Sequence, residues 1–214
     1  MKNLVIIGAR GFGREVYWLA KTCITAAQGT PDSELAIKGF LDDKSDALEG
    51  MSAYPPVLCS VEDYVPENDD VFVCALGSVI ARRKYVEIIL EKGGQFVSLV
   101  HPDANLTETT RFGTGCIICR DVGLSCEVEV GDFNVLQNGC LFGHDVHVGD
   151  FCHFNARAFL GGGVMVGDSV TVNAHAVVHP GKKIGDGATV GAGSFVIRNV
   201  KQGTTVYGNP AKTL

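Results

Sequence analysis

This sequence has no surplus of basic residues: Lys and Arg number 18 against 24 Asp and Glu, for a formal charge of -6. A nucleic-acid footprint needs cations gathered on one face, and Lys182 beside Lys183 does not make one. Long apolar runs are missing too. The first, Leu4 to Ile7, stops at Gly8, too short for a signal-sequence core or a membrane span, so a cytoplasmic protein is expected. Cys116 and Cys119 form one C-x-x-C, but a second pair at zinc-site spacing is lacking. With no secretory signal, the eight cysteines read as reduced thiols. Cys116, Cys140 and Cys152 in particular read as small core residues.

What is present is a repeat. From Leu106, every sixth residue as far as Val196 is apolar, sixteen positions without an insertion or deletion. At 46% apolar content, such a run in one chosen frame arises by chance on the order of a few times per million, which marks an internal repeat. The fifth position of each hexad is small or β-branched, as at Cys116, Val122, Val128 and Cys140; Asn134 and Lys182 are the exceptions. A six-residue unit is one short strand plus a corner, and three units close a triangular coil. Gly113, Gly131, Gly149, Gly167 and Gly185 lie one coil apart, the last four each followed by Asp. They predict a recurring corner with a tight or positive-φ turn. Spacing alone does not give the hand of the coil.

The first hundred residues read differently. Leu4 to Ile7 is a short buried strand, followed by the glycine turn Gly8 to Gly13 and a helix over Arg14 to Thr22. Further strands are expected at Ile37 to Leu41, Val71 to Leu76 and Phe96 to Val100, with a helix over Val79 to Glu91. Alternation of this kind implies a small parallel α/β sheet, whose ligands sit beyond the C-terminal strand ends. The glycine turn, Asp42 with Asp43, and Gly77 all fall there. The expected domains are 1–101, Rossmann-like, and 102–214, the β-helix.

Among six histidines, the solenoid frame singles out His144. It occupies a corner, and one coil further on lies Gly162, within Gly161-Gly162-Gly163, leaving room for a substrate and a backbone N–H beside the ring. Acyl transfer from a thioester needs a base for the attacking amine or hydroxyl and a donor for the oxyanion. His144 suits the first role and the Gly162 amide the second. Asp145 is placed to favour the protonated imidazole.

The whole chain resembles the bacterial sugar N- and O-acetyltransferases of the NeuD/PglD family. The resemblance rests on Gly8-Ala9-Arg10-Gly11-Phe12-Gly13, Phe40-Leu41-Asp42-Asp43, Ala75-Leu76-Gly77 with Arg82, Gly143-His144-Asp145, His153, and Gly208-Asn209-Pro210-Ala211-Lys212. It implies a left-handed parallel β-helix, acetyl-CoA as co-substrate, no metal, and a homotrimer with active sites between subunits. By the same resemblance His144 is the catalytic base and Asp145 its acidic neighbour. His153, Ala174 and Ala192 fall where acetyl-CoA is held, and Arg10, Gly11, Phe12, Asp42, Asp43 and Gly77 where a nucleotide-sugar acceptor binds. Phe12 stands where some relatives carry histidine, and the segment from about Thr22 to Leu35 is longer than in the bacillosamine enzyme. Two other readings stay open: a trimeric scaffold that senses a nucleotide, and a metal hydratase of the γ-carbonic-anhydrase type. The latter uses an H-x4-H pair, whereas His175 and His179 are four apart.

Overall fold

The computed structural model describes residues 2–27 and 35–214, so most of the long segment between Thr22 and Leu35 lies outside the described residues. The chain divides into two compact units, Met1–Pro102 and Asp103–Leu214.

In the first unit, β1 (Lys2–Ile7) leads to α1 (Gly11–Ala26), β2 (Leu35–Leu41), β3 (Val57–Cys59), β4 (Asp70–Cys74), α2 (Val79–Glu91), β5 (Gln95–Phe96) and β6 (Leu99–Val100). A parallel sheet runs in the order β3-β2-β1-β4-β5. Leu4 to Ile7 and Val71 to Val73 are all but inaccessible. These uninterrupted apolar runs are what a strand covered on both faces requires. The sequence did not announce β3, a three-residue edge strand with half-buried side chains. Because β1 is flanked by β2 on one side and β4 on the other, the strand order reverses at the β1–β4 boundary. That reversal opens a crevice at the carboxyl edge.

The second unit is a solenoid of two-residue strands on three faces. Face one carries Leu141–Phe142 and Phe159–Leu160, face two His147–Val148 and Met165–Val166, and face three His153–Phe154 and Thr171–Val172. Each pairs in parallel with the strand 18 residues on, as Leu141 does with Phe159 and His153 with Thr171. The second residue of each strand is the apolar one of the six-step frame. It points inward, so that Leu136, Phe154, Leu160, Val172 and Val178 are fully buried. The fifth-position residues fill the corners from inside. Cys116, Cys140 and Cys152 are fully buried free thiols, and burial pushes Cys140 up to about 12. Asn134, the polar exception, is also fully buried. Its Nδ2 donates to the Gly149 carbonyl (2.9 Å) and its Oδ1 accepts from the Cys152 N–H (2.7 Å). In the neighbouring coils the same corner is bridged by Cys116 Sγ to the Gly131 carbonyl (3.2 Å) and Cys152 Sγ to that of Gly167 (3.0 Å).

The recurring glycines have a different cause from the one their spacing suggested. Gly113, Gly131, Gly149 and Gly167 do not take positive φ. A Cβ on Gly149 would lie 2.2 Å from Asp168 Oδ1 and 2.9 Å from the Gly167 backbone. The missing side chain makes room for an aspartate ladder: the N–H groups of Thr114, Asp132, Asp150 and Asp168 donate to Oδ1 of the aspartate one coil on, at 2.7 to 3.0 Å. Positive φ falls two residues later, at every sixth position from Gly115 to Gly193. Eight of those positions are not glycine, among them Asp121, Glu127, Phe133, Asp145 and His175. At the C-terminal end, Lys212–Thr213 pairs antiparallel with Thr205–Tyr207, reversing the direction of every other pairing in the unit.

Candidate active site

In the first unit the crevice at the carboxyl edge is a cavity of about 300 Å³, lined among others by Arg10, Phe12, Asp42, Asp43, Gly77 and Tyr85. Local sequence builds each wall. Gly8 has φ +98°, and a Cβ there would press on Leu76 Cδ2 at 2.8 Å. A Cβ on Gly13 would overlap the Gly8 carbonyl, so α1 can start directly against the end of β1. Arg10 caps α1 without a side-chain hydrogen bond, and no acidic residue lies in the first turn. Asp42 stands beside that N-terminus, its Oδ2 accepting from the Ala9 N–H at 3.0 Å and its Oδ1 3.7 Å from the Arg10 guanidinium, so the partial positive charge of the first turn is shared between this carboxylate and a ligand. On the other side, buried Arg82 donates from Nη1 to the Leu76 carbonyl at 2.8 Å, fixing the Ala75–Gly77 turn. Of the six residues expected here, Gly11 alone does not line the cavity; it opens α1. Tyr85 lines it but was not anticipated, since its only signal is its place one helical turn beyond Ala81.

In the second unit, His144 stands at the corner between faces one and two, with its side chain 65% exposed. Its Nδ1 lies 2.6 Å from Asp145 Oδ2. A carboxylate on Nδ1 selects the tautomer whose Nε2 carries the free lone pair. The His144 carbonyl accepts from the Gly163 N–H at 2.8 Å, and the Asp145 N–H reaches back to the Cys126 carbonyl at 3.1 Å. A Cβ on Gly162 would come within 2.6 Å of His144 Nε2. The imidazole therefore occupies the notch that this glycine leaves. Among the described residues, no carbonyl accepts from the Gly162 N–H, while the Gly162 carbonyl accepts from Gly181.

The other residues of the expected set lie elsewhere on the solenoid. His153 is only 3% exposed, on face three. Ala174 and Ala192 stack at the corner between faces three and one, where the Gly193 N–H donates to the Ala174 carbonyl (2.9 Å). His147 pairs with Glu129 at 3.0 Å on face two. Among the described residues no three His, Cys, Asp or Glu side chains are grouped to hold a metal ion. No described helix is long and apolar enough to cross a membrane.

Residues 3–89 match the PglD N-terminal domain. The acetyltransferase domain of PglB from Neisseria gonorrhoeae FA1090 superposes with a TM-score of 0.86 at 28% identity, covering 100% of both chains. The chain is thus similar over its whole length to this acetyltransferase domain, and in its first unit to the PglD N-terminal domain. The left-handed winding that the spacing left open is that of the fold shared with this structure. PerB from Caulobacter crescentus, solved with CoA and GDP-perosamine, is another structure that this chain resembles. It is 26% identical, with a TM-score of 0.83, over 100% of this chain and 98% of its own. A UDP-N-acetylbacillosamine N-acetyltransferase of Bacillus subtilis (strain 168) is 28% identical over 122 residues. That match takes in 55% of this chain and 51% of the relative, so the chain matches about half the length of this curated relative.

Proposed function

We propose that this chain transfers acetyl from acetyl-CoA to an amino or hydroxyl group of a nucleotide-linked sugar, with an amino sugar as the leading candidate. The observation that carries the reading is the His144 ring, held through Nδ1 by Asp145 and seated in the Gly162 notch. His144 Nε2 takes the proton from the acceptor nitrogen or oxygen as that atom attacks the thioester carbonyl. The Gly162 N–H stabilises the tetrahedral oxyanion. Collapse breaks the carbon–sulfur bond, and the proton on His144 passes to the departing CoA sulfur. No covalent enzyme intermediate and no metal takes part. The sugar's nucleotide occupies the crevice of the first unit, with its phosphates at the N-terminus of α1 and Arg10, Phe12, Asp42, Asp43 and Gly77 around it. A neighbour whose structure holds both CoA and GDP-perosamine supports these two classes of substrate.

The active enzyme is a homotrimer in this reading. Face one presents Leu141 and Phe159, 49% and 39% exposed, in line with half-exposed Val177 and Phe195, a continuous apolar strip suited to a second copy. His144 lies at one margin of that strip and the Ala174–Ala192 corner at the other. Packing one copy against the next brings these two corners into one cleft for the pantetheine arm, with His153 of the CoA-holding subunit beside it. The reduced thiols and the two substrates suit a cytoplasmic enzyme.

The test is acetyl-CoA consumption against a panel of UDP- and GDP-linked amino sugars and free sialic acids, with thermal shifts by CoA and by each nucleotide. Turnover with one acceptor class, and stabilisation by both CoA and its nucleotide, is the expected result. Stabilisation by nucleotide without any response to CoA would favour the sensor reading and overturn this one.

A further inference from the structure

Asp42 and Asp43 are adjacent and line one cavity, but the structure gives them different work. Asp42 is almost wholly engaged by the protein. Its Oδ2 accepts from the Ala9 N–H and its Oδ1 from the Lys44 N–H, both at 3.0 Å, and its side chain is 7% exposed. It ties the glycine turn after β1 to the end of β2. Asp43 is exposed, and its Oδ2 accepts a 2.6 Å hydrogen bond from the Tyr85 hydroxyl on α2. Among the described residues, Asp43 Oδ1 accepts no hydrogen bond. Tyr85 is itself held in place: the Lys84 ammonium lies 4.6 Å from its ring centroid and pairs with Glu62 at 2.9 Å. The hydrogen bond to Asp43 pushes the Tyr85 phenol above its ordinary range, so it stays a donor at every physiological pH.

A carboxylate at the mouth of a nucleotide cavity recognises ring N–H groups. Guanine presents two parallel donors on one edge and needs both oxygens of the carboxylate. Uracil and thymine present a single imide N–H between two carbonyls and need one. We propose that the Asp43–Tyr85 pair selects the acceptor's base, favouring a pyrimidine with one imide N–H, uracil or thymine, over guanine. The Tyr85 hydroxyl takes one acceptor site of Oδ2 and fixes the rotation of the carboxylate, so Oδ1 alone presents a wholly unengaged oxygen to the base. Asp43 is then the specificity-determining residue and Tyr85 its positioning residue. The inference rests on the nucleotide-sugar reading of this cavity. The relatives differ on this point, one being a UDP-N-acetylbacillosamine N-acetyltransferase and another having been solved with GDP-perosamine.

The experiment is calorimetric titration of the full-length protein with UDP and with GDP, for the wild type, Tyr85→Phe and Asp43→Asn, each checked for an unchanged melting profile. Wild type is expected to favour UDP by about ten-fold or more, the usual worth of one specific base contact. Tyr85→Phe frees the second oxygen and is expected to narrow that preference several-fold, mainly by tighter GDP binding. Asp43→Asn is expected to weaken UDP. Equal affinity for both nucleotides in the wild type, or a preference that neither substitution moves, overturns the assignment of the base to this pair. Failure of both nucleotides to bind overturns the nucleotide reading of the cavity as well, so the two failures are distinguishable.

Discussion

Asp145 holds His144 Nδ1 at 2.6 Å while itself sitting at φ +57°, a backbone conformation that aspartate and asparagine tolerate better than most residues. Asp145→Asn is therefore the clean way to remove the charge without disturbing the corner. His144→Ala is expected to lower kcat by about two to four orders of magnitude, and Asp145→Asn by about ten- to a hundred-fold. Steady-state kinetics with acetyl-CoA and the accepted sugar decide it. Near-full activity of the His144 variant would reject the general-base role.

Gly162→Ala separates site from scaffold. The new Cβ meets the end of a flexible, exposed side chain, so the ring swings away and the fold persists. Activity should fall by about a hundred-fold or more, as misplacement of a catalytic group usually does, with only a small change in thermal midpoint. Gly149→Ala makes the reverse prediction, because its Cβ meets Asp168 and the Gly167 backbone. Stability should drop by about 2 to 4 kcal/mol, read by urea melts. A stable Gly149→Ala protein would show that the coils can part at little cost.

Acid stability should depend on Asp70. Burial pushes this carboxyl upward, but the Glu67 N–H, the Tyr64 hydroxyl and the Lys38 ammonium outweigh it and hold the group below the usual range. The native state then binds a proton less readily than the unfolded chain. Its stabilisation is complete above about pH 4, the unfolded value, and is lost as pH falls through the lower folded value. Asp70→Asn should cost about 1 to 3 kcal/mol at neutral pH by removing the charge that the Glu67 N–H, the Tyr64 hydroxyl and Lys38 converge on, Lys38 keeping Glu67 at 3.0 Å, and flatten the acid limb of the stability curve. Parallel acid limbs for both proteins would contradict this.

Phe159→Glu places a charge in the middle of the apolar strip on face one. For the proposed trimer, light scattering should show mass falling from three chains to one of 22.7 kDa, with activity lost although His144 is untouched. A variant that stays trimeric would move the interface to another face.

The six-step frame carried most of the fold, because an inward-facing position in a solenoid tolerates few side chains and so writes its period directly into the sequence. The His144–Gly162 stacking followed from the same arithmetic. The glycine corner did not. Spacing shows that Cβ is excluded at Gly149, but not whether torsion or a neighbouring carboxylate excludes it. The positive-φ column was hidden because residues such as Glu127, Phe133 and His175 occupy it. Tyr85 escaped notice for another reason: its hydrogen bond to Asp43 joins a helix to a strand end 42 residues away, and no local pattern encodes such a meeting.

The backward-running strand at Lys212–Thr213 protects the stack. A parallel solenoid ends in a rung whose free amides and carbonyls match the first rung of any other copy, an invitation to grow end to end into fibres. Laying a strand of opposite polarity across part of that terminus spoils the match there, and discourages the molecule from becoming a monomer unit of its own polymer.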